Sequence, residues 1–429
     1  MSCNEWKTVK LGDVADVLSG YAFKTKDFIE EGVPVVKIKN IIPPNIDIND
    51  TQYVSNEMYE EKIKYALNYN DILISMTGSN VNQIASAVGK IGRVKLKYTK
   101  LLLNQRVGKL FVKDNSKCNY DYLYYYLIQP EIRYNLAANA GGSANQANIS
   151  PADIKNIDIK LPSLEEQEKI VNILSCLDDK IELNNEMNKT LEEMAQSIFK
   201  RWFVDFEFPN EDGQPYKSSG GEMVESERGM IPKGWEVKTI GELCEVGSSK
   251  RIFMKEYIDK GVPFFRSKEI IERSKGNSIS TELFITQERF NEIKGKFGVP
   301  VKNDILLTSV GTLGVPYLVD DEEFYFKDGN LTWFKNFKKE VFRYYIYQWL
   351  LSSEGKKSID EVTIGSTQKA LTINSLKSMR LVIPNTDILD RYSKFIILNI
   401  ESIRANNKQK FILIDLRDSL LPKLMSGKL

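Results

Sequence analysis

The sequence predicts an α+β protein of two tandem pseudo-repeats. Each is a globular mixed α/β domain followed by a long helix, and the two helices pair as an antiparallel coiled-coil spacer. Three observations carry this expectation. Blocks of the first half return in order in the second half, and a heptad-patterned segment follows a proline in each half. The chain, 429 residues with 42% hydrophobic and 27% charged, is also too long for one ordinary domain while rich enough to build cores.

The repeats come first in the chain and in the argument. Trp6 to Val14 reappears as Trp235 to Leu243, and Phe28 to Pro34 returns as Tyr257 to Pro263. Asn70 to Ser75 pairs with Asn303 to Thr308, each followed shortly by a glycine, Gly78 and Gly311. Gly142 to Gln146 faces Gly365 to Gln368, and Leu161-Pro162 faces Ile383-Pro384. Within each copy, runs such as Val33 to Ile38 and Asp71 to Ser75 are β-rich and bounded by turn residues. Tyr120 to Leu127 and Phe342 to Leu351 are aromatic-rich and fit buried helices, although periodicity does not separate them from strands.

The segments after the prolines read as helices. Ser163 with Glu166 is a capping-box signature. Ile170, Leu174, Leu177, Ile181, Asn184, Asn188, Leu191, Ala195 and Ile198 then step alternately by four and three, a seam with a polar centre. The second copy supplies Tyr392, Ile396, Asn399, Ile403, Asn406, Lys410, Leu413, Arg417 and Leu420 at matching positions, with Asn184 and Asn406 coincident. Seam asparagines cost stability and fix register. A continuous helix from Ser163 to Val204 would run about 60 Å, which predicts a dumbbell with a domain at each end. The expected partition is a first domain over 1–162, a first spacer helix over 163–204, a loop linker over 205–234, a second domain over 235–384 and a second helix over 385–429.

Composition removes several classes of function. The chain has no histidine, which excludes Ser-His-Asp and Cys-His catalysis and His-ligated metal sites. Cys3, Cys118, Cys176 and Cys244 are widely spaced without C-x-x-C, which fits reduced intracellular thiols better than zinc or disulfides. Met1 to Lys10 is polar and predicts no signal peptide, and no apolar run is long enough to span a bilayer, so a cytoplasmic protein without membrane contact is expected. There is no P-loop and no strand-borne G-x-G-x-x-G. The [DN]-P-P-[YF] pattern of amino-methyltransferases is missing too, since Pro43-Pro44 lies between Ile42 and Asn45. Ser, Asp, Glu and Lys leave chemistry possible but without a visible signature, so a non-catalytic chain with no metal or cofactor of its own is expected.

Recognition chemistry remains. Two similar but divergent domains on a spacer suit a long target with two separated patches, and on double-stranded DNA such patches recur about every 34 Å. Lys24 and Lys26 after Gly20, together with Arg93 and Lys95 in a basic strip from Lys90 to Lys100, supply positive charge. Ser79, Asn80, Asn82 and Gln83 offer hydroxyl and amide groups that could bond base edges. In the second copy Lys250 and Arg251 take the place of the Lys24 cluster, and Arg266 and Lys268 extend it. Ser143, Asn145 and Gln146 face Thr367, Gln368 and Lys369 in paired Gly-Ser loops, and Thr308 ends the strand matching Asn70 to Ser75. For any one of these positions a solvated surface is the simpler reading. The overall charge is only +1, from 59 basic and 58 acidic residues, so binding would have to be local.

The order of Trp6 to Asp13, Gly142-Ser143, Leu161 to Lys169, Phe199 to Phe203 and Ile231 to Glu236 resembles the specificity subunit of Type I restriction–modification systems, across the whole chain. The second copy departs from the Leu161 block with Ile383 to Asp390. The resemblance implies two target-recognition domains, each reading half of a split asymmetric site. It also implies helices that set the gap and dock two methyltransferase subunits, which carry S-adenosylmethionine and methylate adenine. Restriction and translocase subunits, with Mg and ATP, can join. It does not fix which residues touch bases. Two other classes stay open at this level: a coiled-coil interaction scaffold without DNA specificity, and an enzyme with an unrecognised carboxylate–lysine site. A steep fall of binding with salt favours DNA over the scaffold.

Overall fold

The computed structural model describes residues 6–86, 88–143, 146–365 and 369–427. It divides into two compact units, one formed by Met1–Asp179 with Leu413–Leu429 and the other by Lys180–Ile412. The units therefore do not coincide with the halves of the sequence. The reason is apolar packing. Leu421, Leu424 and Met425 from the end of the chain are buried with Leu11, Tyr122 and Ile170, whereas Ala195, Phe199 and Phe203 are buried with Trp235, Tyr345 and Tyr392.

In the first unit the main sheet has the order Ala15–Ser19, Val107–Val112, Ile72–Ser75, Ile91–Arg93, Asn45–Ile46 and Ile41–Ile42. The first four strands are mutually antiparallel. The second unit repeats that set as Glu245–Gly247, Leu331–Lys335, Ile305–Thr308 and Pro316–Leu318, also antiparallel. A smaller sheet is duplicated as well: Val33–Val36 lies parallel to Leu102–Leu103 and antiparallel to Gln52–Val54, as Val262–Phe265 does to Tyr325–Phe326 and Phe284–Ile285. Lys7–Lys10 with Asp158–Leu161, and Glu236–Thr239 with Arg380–Ile383, close the two domains.

The aromatic runs are helices, Tyr120–Leu127 and Glu340–Leu351. The Asn119 side chain caps the first by accepting from the Asp121 and Tyr122 amides. Burial of these helices needs a partner for each phenol. Tyr122 Oη donates to the Lys160 carbonyl at 2.6 Å, and Tyr345 Oη to the Val382 carbonyl at 2.5 Å. The same bond at matched positions marks the duplication in three dimensions.

The long helices are Leu164–Phe199, continued by a wide turn at Lys200–Val204, and Thr386–Met425. At the first helix start, the Glu166 amide donates to Ser163 Oγ at 3.3 Å, and fully buried Gln167 bonds Asn119, Lys117 and Pro162. Within the second unit the helices run antiparallel. Asn184 Nδ2 reaches Gln409 Oε1 at 3.0 Å and Asn188 Nδ2 reaches Asn407 Oδ1 at 2.9 Å, while Asn399 meets the Leu191 carbonyl. Asn406 Nδ2 donates to Asn188 Oδ1, so the polar seam is a ladder of amides.

The segment 205–234 is more ordered than the loop expected of it. Met223–Ser226 and Gly229–Pro232 form a hairpin. Phe208 stacks between Tyr216 and Trp235 at centroid distances of 4.5 and 4.9 Å. Its aromatics give this stretch buried area that its Gly, Ser and charge content conceals. Among the described residues no helix is long and apolar enough to cross a membrane.

Candidate nucleic-acid interface

Strand direction sorts the candidate residues by the end of the sheet on which they stand. In the first unit Ser19, Ser75 and Val107 share one end with the approach to Ile91, while Ala15, Ile72, Val112 and Arg93 share the other. The first end carries the loop from Ser79 to Gln83. Thr77–Gly78 pairs there with Gln146–Asn148, itself paired with Gly141–Ser143, and Thr77 Oγ1 donates to Asn148 Oδ1 at 2.8 Å. The Ser79 loop and the Gly142 hairpin, distant in sequence, are thus one surface. Ser79 is buried and bonded to Gln83, and Asn80 accepts from the Asn82 amide, so Asn82, Gln83 and Gln146 are the exposed members. Lys90 stands at this end too, and burial, reinforced by the charge of Arg133, holds its ammonium below the usual range.

Lys24 and Lys26 project from an exposed turn, Thr25–Asp27, a few residues beyond the Ser19 end. The backbone N–H of Lys24 donates to Asp27 Oδ2 at 2.7 Å, which locks the turn and leaves both ammonium groups to solvent.

Arg93 and Lys95 stand at the opposite end, and Arg93 corrects the expectation most clearly. It is 7% exposed, its Nη2 lies 2.6 Å from Asp121, and its guanidinium sits 3.8 Å above the Tyr124 ring. An arginine so enclosed is an internal strut and presents no face to a groove. Lys95 bonds Asn70 Oδ1 at 3.1 Å.

The second unit has the same division. Ser248 to Arg251, Ser309 to Val315 and Asp328 to Asn330 stand at the end equivalent to Ser79. The chain before Leu371 joins them, because Val310 bridges Ala370 and the Leu371 amide donates to the Ser309 carbonyl. These elements surround a cleft of about 300 Å³ lined by Ser248, Ser249, Ser309, Asp328 and Thr332. Arg251 pairs with Asp328 of that lining at 2.7 Å. Lys250 and Lys369 are exposed at the same end. Asn145, Thr367 and Gln368 lie outside the described residues.

Thr308 and Arg266 also depart from expectation. Thr308 is fully buried, and its Oγ1 accepts from the Val315 amide at 2.9 Å, so it shapes the loop beneath the surface. Arg266 donates through Nη2 and Nε to Glu269, itself 1% exposed, and Lys268 leans on the same carboxylate at 3.7 Å. The Glu269 carboxyl stays below its ordinary range because the Arg266 bonds and charge together outweigh its burial, the largest single influence.

At the opposite end of the second unit the domain is bolted to its helix by a residue that sequence patterning missed. Arg404 is 8% exposed and donates to Asn303 Oδ1 at 2.9 Å, the Val319 carbonyl at 2.7 Å and Glu401 at 2.8 Å, with Asp320 at 3.3 Å. It sits one position past the seam residue Ile403, where an exposed charge is the default reading. In the first unit Arg417 of the second long helix lies 2.9 Å from Asp178 of the first, and the helix-to-domain tie is the Tyr125 Oη bond donated to that same Asp178 at 2.7 Å. Among the described residues no cluster of three or more His, Cys, Asp or Glu could hold a metal ion.

Comparison with known proteins agrees with this duplicated arrangement. The family model described as "Type I restriction modification DNA specificity domain" matches twice, over residues 4–193 and 232–410. The MjaIX specificity subunit of a Methanocaldococcus jannaschii Type I restriction enzyme is 27% identical, over 99% of this chain and 94% of the relative. The Escherichia coli EcoBI specificity subunit is 23% identical over 72% of this chain and 61% of the relative. Among solved structures, a Type I restriction–modification S subunit from M. genitalium aligns with a TM-score of 0.55 and 17% identity, over 99% of this chain and 97% of that one, a likeness of fold.

Proposed function

This chain belongs to the Type I restriction–modification DNA specificity family, and from that premise we propose that it gives a methyltransferase complex its address on DNA. Each domain reads half of a split, asymmetric site, and the antiparallel helices set the gap. Contact with DNA is carried by one end of each sheet: Lys24, Lys26, Asn82, Gln83 and Gln146 in the first unit, and Lys250, Arg251 and Lys369 in the second. The observation that carries this reading is the recurrence of one strand order in both units, with exposed cations at the end of each sheet away from Arg404 or Arg93, joined by exposed amides in the first unit. Lysines there neutralise phosphate, and amides reach base edges.

Two methyltransferase subunits dock on the helices, bring S-adenosylmethionine and methylate adenine. Restriction and translocase subunits, with Mg and ATP, act on the same platform, and the complex works in the cytoplasm on the chromosome. Docking is supported by apolar side chains left exposed on the helices within the second unit: Leu183, Met187 and Met194, spaced by four and seven, with Leu398 and Ile412 on the second helix.

The deciding experiment maps methylated adenines genome-wide in cells with and without this gene, alongside its neighbouring methyltransferase. Loss of one split motif on deletion supports the reading and gives both half-sites at once. An unchanged map, joined to salt-insensitive DNA binding by the purified complex, refutes it. Deleting matched heptads from both helices is expected to shorten the gap in the methylated motif, and an unchanged gap removes the ruler role.

A further inference from the structure

We infer that the Phe253–Met254 tip of the second unit is an apolar wedge that enters the base stack of the DNA this unit reads. The inference rests on the DNA-recognition reading above and adds to it a residue pair and a mode of contact.

The tip stands on the same scaffold as the Lys24 turn of the first unit. Met254–Glu256 and Thr25–Asp27 are matching single turns. In both, the N–H of the residue before the turn donates to a carboxylate three positions on: Phe253 to Glu256 at 2.8 Å, Lys24 to Asp27 at 2.7 Å. Each is preceded by a buried anchor, Ile252 or Phe23, and followed by an isoleucine bridged to a neighbouring strand, Ile258 to Phe284 or Ile29 to Tyr53. Only the side chains at the tip differ. Where the first unit offers Lys24 and Thr25, the second offers Phe253 and Met254, 58% and 86% exposed.

Lone exposed apolar residues are ordinary on protein surfaces. Two adjacent ones at the apex of a locked turn, with Lys250 and Arg251 shortly before them in the chain and Lys255 directly after, are not. Lys250 lies 5.2 Å from the ring of half-exposed Phe297, Arg251 is exposed while paired with Asp328, and Lys255 is exposed. That combination fits a polyanion with an apolar interior. The cations face phosphates while the thioether and the ring occupy the space between unstacked base pairs, which bends the duplex. Because Lys24 holds the matching place in the first unit, distortion is confined to one half-site.

The test uses the full chain in complex with its methyltransferase subunits, on duplexes bearing the motif read from the methylation map. 2-Aminopurine is placed at successive steps. The wild-type complex is expected to raise fluorescence at a step in one half-site only. In F253A/M254A that rise disappears, and affinity falls about ten- to a hundredfold. The slope of affinity against salt stays unchanged, since no phosphate contact is lost. The turn survives this substitution because its closing bond comes from the backbone of residue 253. F253K/M254T, which carries the residues of the first unit, is expected to recover part of the affinity without the fluorescence rise.

A wild-type complex that binds the motif specifically with no step unstacked overturns the wedge and leaves the recognition role intact. So does a variant that keeps the rise. A variant that binds DNA normally but no longer holds its methyltransferase reassigns the tip to a protein contact. Failure of the wild-type complex to discriminate the motif from random duplex refutes the recognition reading and the wedge together.

Discussion

Replacing Arg404 with methionine removes a cation while keeping most of its volume, and it isolates what ties the second domain to its helix. The guanidinium meets four acceptors, of which the Val319 carbonyl is enclosed, the Asp320 side chain is 25% exposed and that of Glu401 is 50% exposed. Breaking a fully buried ion pair costs about 3–5 kcal/mol. Here both carboxylates can recover hydration, so the loss reduces mainly to one stranded carbonyl, the Asn303 amide oxygen and a weakened Asp320, about 2–3 kcal/mol. For a unit of this size that lowers the melting midpoint by about 4–10 °C. Trp202, Trp235, Trp333 and Trp349 all lie in this unit and only Trp6 in the other, so intrinsic fluorescence follows it selectively. Trp333 is a suitable probe because its Nε1 donates to buried Asp304 at 2.8 Å. The deficit should largely persist in about 1 M salt, because its main part is the enclosed bond to the Val319 carbonyl, which salt screens poorly. A midpoint for Arg404→Met within a degree of wild type, or a deficit that salt erases, would refute the account of Arg404 as an enclosed tie.

Four further outcomes are expected. Lys24→Ala with Lys26→Ala should weaken binding evenly across DNA sequences and lower the salt slope by about one unit per lost phosphate contact; titrations at several salt concentrations check this. Arg93→Leu should leave that slope unchanged and destabilise the first unit by about 1–2 kcal/mol, since the guanidinium contact with the Tyr124 ring is lost while Asp121, 36% exposed, recovers hydration; hydrogen exchange of the Tyr120–Leu127 helix reports the loss. Asn188→Leu should cost about 1–2 kcal/mol by leaving the Asn406 and Asn407 amides without their partner, with partial recovery when Asn406 also becomes leucine; urea unfolding of the two variants decides it. Burial depresses the Lys410 ammonium from its usual 10.5, only partly offset by the charge of Glu192. Its penalty is therefore full at neutral pH and relieved as pH climbs toward 10.5. Lys410→Met should accordingly raise the urea midpoint at pH 7 and lose that advantage near pH 10.

The sequence by itself determined the duplication, the two long helices and the polar seam, because each is written in local order. Recurring blocks, a four-three apolar step and asparagines at matched heptad positions need no knowledge of distant contacts. It also determined the kind of residue to look for in recognition, since lysines and amides announce their chemistry wherever they stand. Only the tertiary structure decided which of them face outward. Arg93 and Lys24 look alike in a string of basic residues, yet strand direction puts one between Asp121 and the Tyr124 ring and the other on an open turn. Thr308 is sealed under its own loop, and Arg404 is drawn inward by Asn303, Val319 and Asp320, three acceptors far away in sequence. The unit boundaries fall in the same class. The last helix turn belongs with the first domain because Leu421, Leu424 and Met425 find apolar area there, and burial of that area is a property of the assembled chain rather than of any segment within it.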